Sequence, residues 1–438
     1  MKISLRFRFI VAVLAFVVTD TAFTELVFAS EDDPRLGLYN YGLSFASLGV
    51  AVLLLRYFGP TMRKWCLLTL GCLVLLAFES YAGWGTWMVY PHVFSKLIFL
   101  FAIFAVYGFH RRYGLPPYGP LMLVILVGLL SNMLLYHPDA LSASAFVDNE
   151  RGFGSTSTYL LPLLALYYFN QYMTKGGLLR MVLFFALLGF VIFLQHRTVW
   201  LSTGLALGVN ALLLRRVAGV SFAMPRLIPL AVFPVSVLLI GGLAAFLENP
   251  AVLERFQTSI ADIQNADKQG TGSWRLKQFQ AYVPYMEEYP VAGMRLKGFE
   301  LPVQFYTGSY TDDVEDSRVW RNGTGHHFHS WYVDRMFYFG TLGVLLVLAV
   351  PIGQVVRRLR QATPLDATAA ALIAYSASNL LYGVSYDWPV FVYAIMGLTL
   401  AAAEPVPAAA PVPALPTREP APAAAPLTPS SPHAHATA

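Results

Sequence analysis

The chain has 438 residues, of which 56% are hydrophobic and 13% charged, with a formal net charge of +5. A soluble domain is about 45–50% apolar and about 25% charged, so this composition excludes an ordinary soluble globular protein. The two cysteines, Cys66 and Cys72, lie in one apolar run, which excludes a disulfide framework and a cysteine-based zinc or iron–sulfur site.

Twelve apolar runs, each able to cross a hydrocarbon core of ~30 Å as a helix, predict an all-α polytopic membrane protein. Basic residues cluster on alternate connections, and the positive-inside rule therefore places both chain termini in the cytoplasm. These clusters account for the positive charge, so no nucleic-acid site is predicted. The predicted spans are residues 9–29, 38–55, 65–84, 93–109, 118–136, 157–172, 177–194, 199–214, 227–247, 331–350, 367–382 and 388–403.

The start of the chain has two interpretations. Its basic residues followed by an apolar run are typical of a signal peptide, but the run is longer than a usual signal-peptide core. We therefore expect the first helix to be retained.

One connection differs from all the others. Residues 248–330 carry eleven acidic and eight basic side chains and no spanning run, and the topology places them outside the cytoplasm. The chain thus divides into spans 1–9 (residues 1–247), one large outer loop domain (248–330) and spans 10–12 (331–403). The Pro- and Ala-rich residues 404–438 cannot bury a core and predict a disordered cytoplasmic tail.

Three histidines, His326, His327 and His329, stand at the end of the loop domain, just before the tenth span. A histidine at this boundary can take a proton from a hydroxyl nucleophile, because its reference pKa is about 6.5. Two other interpretations are open. The histidines could hydrogen-bond at the headgroup level, or they could bind a metal, although their spacing matches no zinc signature. The acidic residues available to such a metal are Asp312, Asp313, Glu315 and Asp316.

Arg197 lies in a short outer connection, residues 195–198, between the seventh and eighth spans. A guanidinium at the membrane surface is costly unless it is paired or functional, so a structural ion pair is the alternative to a site. Several outer arginines beside a histidine indicate a lipid-linked anionic substrate, because arginine grips phosphate with a planar fork of donors. The further substrate-binding candidates are Arg151, Arg295, Lys297, His326 and His327.

Acidic residues inside the predicted spans favour a different class of function. Asp20, Glu25 and Glu79 have no basic residue nearby in sequence, and intramembrane acids are typical of ion-coupled transport. A twelve-span transporter or flippase for a lipid-linked or anionic solute is therefore one alternative. A scaffold without chemistry is another.

The order of motifs over residues 195–345 resembles the O-antigen ligase/polymerase superfamily. Arg197 stands on an outer turn, Arg275 opens a loop helix, and Pro290-Val291-Ala292-Gly293 forms a Pro-x-x-Gly turn. His329-Ser330 then precedes Gly340-Thr341-Leu342-Gly343, which matches the family's helix with Gly-x-x-Gly. The sequence departs from the family in two places: His-Ser replaces His-Asn, and Arg295 and Lys297 interrupt the glycine-rich loop.

The resemblance implies a glycosyltransferase of GT-C-like architecture in the inner membrane of a Gram-negative bacterium, with a periplasmic active site. It implies an undecaprenyl-diphosphate-linked O-antigen donor and a lipid A–core acceptor, with His329 as general base and Arg197 and Arg275 as the diphosphate clamp. We expect inversion at the anomeric carbon, with neither metal nor cofactor. Among members of this family, polymerases tend to carry two large outer loops, and protein-glycosylating ligases tend to carry a longer C-terminal region. With its single large outer loop and featureless tail, the chain is therefore more similar to a ligase that joins O-antigen to lipid A–core than to a polymerase or a protein O-oligosaccharyltransferase.

Overall fold

The computed structural model describes residues 4–17, 19–28, 33–148, 150–216, 218–237, 250–264, 271–297, 330–361 and 364–404, and for residues 34, 143, 262–264 and 271–278 only the backbone. Regular structure within these ranges is helical. The α-helices are α1 (Leu5–Phe16), α2 (Thr21–Thr24), α3 (Pro34–Leu54), α4 (Pro60–Trp84), α5 (Pro91–Ile98), α6 (Leu100–Tyr113), α7 (Tyr118–Tyr136), α8 (Ala143–Asp148), α9 (Ser155–Thr158), α10 (Leu160–Lys175), α11 (Leu178–Phe193), α12 (Arg197–Arg216), α13 (Met224–Val237), α14 (Pro250–Gln264), α15 (Thr271–Glu288), α16 (Trp331–Leu359), α17 (Ala367–Ser385) and α18 (Val390–Ala403).

Within the described ranges, seven helical segments are long and apolar enough to cross a membrane, and each overlaps a span predicted from the sequence. The chain is therefore a polytopic membrane protein with a helical fold. Among the shorter apolar helices are α11, α18 and the greater part of α13, which overlap three further predicted spans. The seven segments are residues 35–57, 60–84, 91–113, 118–136, 197–216, 331–359 and 367–385.

Helix α6 is buried along most of its length. Its side chains are buried without a break from Leu100 to His110, which is the pattern of a helix surrounded by other helices. It packs against α1, α3, α4 and most extensively α18. A Cβ atom on Gly397 of α18 would lie 2.4 Å from the Ile103 carbonyl oxygen, so the close approach of these two helices requires glycine at this position.

The first predicted span, residues 9–29, is not one helix, and the prediction is wrong on this point. Helix α1 ends at Phe16, and Asp20 has extended backbone before α2. The buried Asp20 carboxylate accepts hydrogen bonds from the Ala22 amide at 3.1 Å and the Ser157 hydroxyl at 2.7 Å. A residue that caps the start of a helix has a non-helical backbone, so a preceding helix cannot run through it. The chain therefore turns at Asp20.

Helix α16 is interrupted at Gly340, whose φ of 61° and ψ of −160° lie outside the helical region. The break removes the two helical bonds in which the amides of Thr341 and Leu342 would participate. Four bonds to residues 290–295, which we call the docking turn, take their place. They are Met294 N to Phe337 O (2.8 Å), Arg295 N to Tyr338 O (2.9 Å), Thr341 N to Pro290 O (2.9 Å) and Leu342 N to Val291 O (3.1 Å).

Two glycines allow the docking turn and α16 to approach backbone to backbone. A Cβ atom on Gly293 would lie 2.4 Å from the Phe339 amide nitrogen, and one on Gly340 would lie 2.4 Å from the Val291 carbonyl oxygen. Both residues also have positive φ, 66° and 61°. The Pro-x-x-Gly and Gly-x-x-Gly motifs are thus the two faces of a single contact.

We predict that Gly340→Ala destabilises the folded protein by about 1–3 kcal/mol, because alanine must adopt a positive φ and collide with Val291. Gly353→Ala is the matched control: Gly353 lies in the same helix with no atom within 4 Å of a built Cβ. This control should be neutral or stabilising by up to ~1 kcal/mol. Thermal unfolding of both variants in detergent measures the difference, and equal melting temperatures would contradict the prediction.

Candidate active site

The docking turn carries Arg295 to the side of α4. Arg295 has a positive φ of 50°, which is uncommon for a residue with a side chain. Its Nε donates to both carboxylate oxygens of Glu79, at 3.1 and 2.9 Å, and the two side chains are 35% and 34% exposed. Glu79, which has no basic neighbour in sequence, therefore has one in the fold.

An apolar groove of about 570 Å³ runs between α4 and α16 and ends at this ion pair. Among the described residues that line it, the charged ones are Glu79 and Arg295. Lower in the groove, the Trp65 indole nitrogen donates to the Leu346 carbonyl at 2.6 Å and joins the two helices. The other lining residues include Leu68, Cys72, Leu75, Leu342, Leu345 and Ala349. This arrangement suits a molecule with a long apolar chain and an anionic head.

A second groove, of about 490 Å³, lies between α7 and α11. The described side chains that line it, such as Leu130, Leu183 and Phe190, are all apolar. From this part of the chain the second groove therefore offers no charged group to a ligand head.

Lys297 follows the docking turn, and its ammonium group lies 3.4 Å from the centroid of the Tyr289 ring. A cation at this distance is attracted by the electron-rich ring face. The lysine is exposed, so its charge lies on the surface beside Arg295 rather than in the groove.

The turn before α12 holds Arg197 through its neighbours. Gln195 is buried with a positive φ of 54°, donates from Nε2 to the Phe146 carbonyl at 2.5 Å and accepts from Arg255 Nε at 3.1 Å. His196, also buried, bonds through Nε2 to the Phe153 carbonyl at 3.0 Å. Two consecutive anchored residues thus fix the backbone from which the Arg197 side chain leaves.

His196 also brings Arg151 to this turn. Because a carbonyl can only accept, Nε2 carries the proton, which leaves Nδ1 to accept from Arg151 Nη1 at 3.4 Å. The pKa of His196 is lowered to about 4, first by burial and then by the charge of Arg151, while the bond to Phe153 acts in the opposite direction. A neutral imidazole is therefore the bridge between Arg151 and the turn that carries Arg197.

Several predicted site residues fall outside what is described. His326, His327 and His329, with the acidic residues of the metal alternative, lie outside the described residues. Arg275 lies in α15, as the sequence predicts, but its side chain is among those not described. Within the described ranges, no three His, Cys, Asp or Glu residues are grouped in a way that could hold a metal ion.

The other two acids of the transport alternative have partners within the bundle. Asp20 is held by Ser157 and by the amide of Ala22. Glu25 accepts from Asn132 at 2.9 Å and lies 3.6 Å from His137.

A buried charged cluster was not predicted from the sequence. Lys96 of α5 lies 2.5 Å from Asp334 of α16, and Asp334 also pairs with Arg335. A charge inside a predicted span is the signal that singled out Asp20 and Glu79, and applied to spans 4 and 10 it would have found these residues.

Residues 182–348 match the family model described as O-antigen ligase. The matched segment includes Arg197, α14, α15, the docking turn and the break at Gly340. The resemblance to the O-antigen ligase/polymerase superfamily is thereby confirmed over these residues. No curated protein matches the chain.

We predict that His196 stays neutral well below the reference histidine pKa. The pKa of His196 is about 4 in the folded protein and about 6.5 in the unfolded chain. The neutral imidazole therefore contributes to stability above pH 6.5, and this contribution is lost as the pH falls from 6.5 to about 4. Carbon-13 NMR of labelled imidazoles in detergent checks this, with His196→Gln to assign the signal. A titration midpoint near 6.5 for His196 would contradict it.

Proposed function

We propose that this protein is a membrane glycosyltransferase of the O-antigen ligase type, which moves a glycan from undecaprenyl diphosphate to lipid A–core. One observation carries the proposal: the apolar groove between α4 and α16 ends at Arg295, on a docking turn that lies within the family-matched segment. A polyprenyl diphosphate has the same division into a long hydrocarbon chain and an anionic head.

The orientation follows from the distribution of basic residues. With the twelve predicted spans in the inner membrane and both termini in the cytoplasm, the loop domain and the docking turn face the periplasm. Lipid-linked glycans and lipid A–core would then meet on the side of the membrane where Arg197, Arg275 and His329 lie.

The donor chain would occupy the groove with its diphosphate at the outer end. Glu79 engages the Nε edge of Arg295, which orients the guanidinium and leaves its two Nη groups as the donors to present to a phosphate. Glu79 thus acts on the donor through Arg295, and its own charge opposes a direct approach by phosphate.

The transfer itself is a displacement at the anomeric carbon. A hydroxyl oxygen of the acceptor bonds to this carbon as the bond to the diphosphate oxygen breaks, and His329 takes the hydroxyl proton. Arg197 and Arg275 stabilise the negative charge that builds on the leaving diphosphate. A single displacement inverts the anomeric centre, and with cationic side chains on the diphosphate the reaction is expected to proceed without a divalent metal.

The alternatives differ in what they do with the same donor. A polymerase would use a second lipid-linked glycan as acceptor, and a protein O-oligosaccharyltransferase would use a protein hydroxyl. A transporter or flippase would move a solute without forming a glycosidic bond, and would depend on Asp20, Glu25 or Glu79 more than on His329.

We predict that purified protein transfers an undecaprenyl-diphosphate-linked glycan to lipid A–core in detergent with EDTA present, seen as a gel shift. His329→Ala, Arg197→Ala and Arg275→Ala should each lower the rate by a factor of ~100 or more, because each removes a group that acts on charge in the transition state. Arg215→Gln, at the opposite end of α12 from Arg197, should leave the rate unchanged. A folded wild type that transfers nothing, with substrates verified on a known ligase, would refute the ligase proposal.

We predict that Arg295→Gln raises the donor KM by about tenfold or more with a smaller effect on kcat, because it removes a charged hydrogen bond to the donor head. Glu79→Gln should raise the donor KM by less, since the arginine remains but is held by a neutral amide. Steady-state kinetics with varied donor measure both effects. A donor KM unchanged in Arg295→Gln would remove Arg295 from the donor site.

A further inference from the structure

Four ionisable side chains from three segments meet at the outer end of α16. Lys96 Nζ of α5 lies 2.5 Å from Asp334 Oδ1, and Arg335 Nη1 pairs with the other oxygen of Asp334. Arg335 Nη2 lies 3.8 Å from Asp387, in the connection between α17 and α18, and donates to the Tyr393 hydroxyl at 2.8 Å. We call Lys96, Asp334, Arg335 and Asp387 the ionic network.

Three of the four side chains of the ionic network are almost completely withdrawn from solvent. The side chains of Lys96, Asp334 and Arg335 are 4%, 1% and 2% exposed, and Asp387 is 34% exposed. Its two cations and two acids balance, which is the condition for burying charge at a tolerable cost. Buried ion pairs often stabilise a fold no better than apolar contacts of similar size, so stability alone is a weak reason for their presence. What such pairs add is a fixed geometry, because each charged hydrogen bond sets the relative position of the two groups that it joins.

The ionic network lies beside the elements of the proposed site. Asp334 is four residues after Ser330, which caps α16 and directly follows His329 in the sequence. Lys96 also lies 4.8 Å from the centroid of the Tyr338 ring, and the carbonyl of Tyr338 accepts the Arg295 amide of the docking turn. The first two helical turns of α16 therefore connect Ser330, the residue after His329, to the docking turn that carries Arg295. The ionic network fixes this part of α16 to α5 and α18.

We propose that Lys96, Asp334 and Arg335 are positioning residues, which hold the outer end of α16 in the register that transfer requires. The inference rests on the proposed function. An apolar contact between α5 and α16 would permit small slides and rotations. The Lys96–Asp334 bond to α5 and the Arg335–Tyr393 bond to α18 instead hold α16 in one arrangement. A displacement of about 1 Å at a reacting group can lower a rate by ~100-fold.

The test separates positioning from stability by means of charge balance. Lys96→Met or Asp334→Asn alone leaves a buried charge without its counter-ion and should lower the melting temperature. The double variant K96M/D334N leaves Arg335 with Asp387 and is again balanced, so its melting temperature should return to near that of wild type. Under the proposal its kcat stays ~100-fold below wild type with the donor KM changed by less than about threefold.

Asp334→Glu provides a second variant that keeps every charge. Its extra methylene moves the carboxylate while the balance is retained, so it should fold and have a lowered kcat. N170L/N210L is the control double variant, because Asn170 and Asn210 form a reciprocal buried pair between α10 and α12. In a folded control, kcat should remain within about threefold of wild type.

Hydrogen exchange of the amides of Met294 and Arg295 gives a readout that does not depend on activity. These amides donate to α16, so they should exchange faster in the balanced double variant than in wild type. A double variant with wild-type melting, kcat and exchange would overturn the positioning role. A wild type that transfers no glycan would instead count against the proposed function, and faster exchange at the docking turn would still support the network's hold on α16.

Discussion

The structure depends on an exchange of backbone hydrogen bonds at Gly340. A break in a membrane helix exposes amides and carbonyls where there is no water to satisfy them, and each such group is costly in an apolar medium. The docking turn supplies partners for four of these groups, and it can do so because neither Gly293 nor Gly340 has a side chain. Movement of the turn away from α16 would leave these groups without partners, so the turn stays fixed to the bundle.

The location of the candidate site follows from this contact. Fixing the docking turn sets Arg295 against Glu79 at the end of the groove between α4 and α16, where apolar and charged surfaces meet. A lipid-linked glycan requires both kinds of surface, one for the hydrocarbon chain and one for the diphosphate. The ionic network fixes the same end of α16 from its other side, through α5 and α18.

Much of the fold could be predicted from sequence, because hydropathy alone decides which segments can lie in a bilayer. The exception at residues 9–29 arises from a contact: Asp20 turns the chain because it finds Ser157, which no local pattern reveals. The motifs around Gly293 and Gly340 could be recognised in the sequence, but their contact with each other could not be predicted. Glu79 and Arg295 are separated by 216 positions, so the pair is a property of the packed bundle. The pairing of Lys96 with Asp334, 238 positions apart, could not be predicted for the same reason.

The most direct test of the central claim, that the groove between α4 and α16 holds the donor lipid, is photocrosslinking with a polyprenyl diphosphate bearing a diazirine on its hydrocarbon chain. Peptide mapping should place the adducts on residues 342–350 of α16 and on α4 near Leu68 and Leu75, and unlabelled donor should compete them away. Adducts confined to Leu130, Leu183 or Phe190, in the apolar groove between α7 and α11, would contradict the claim.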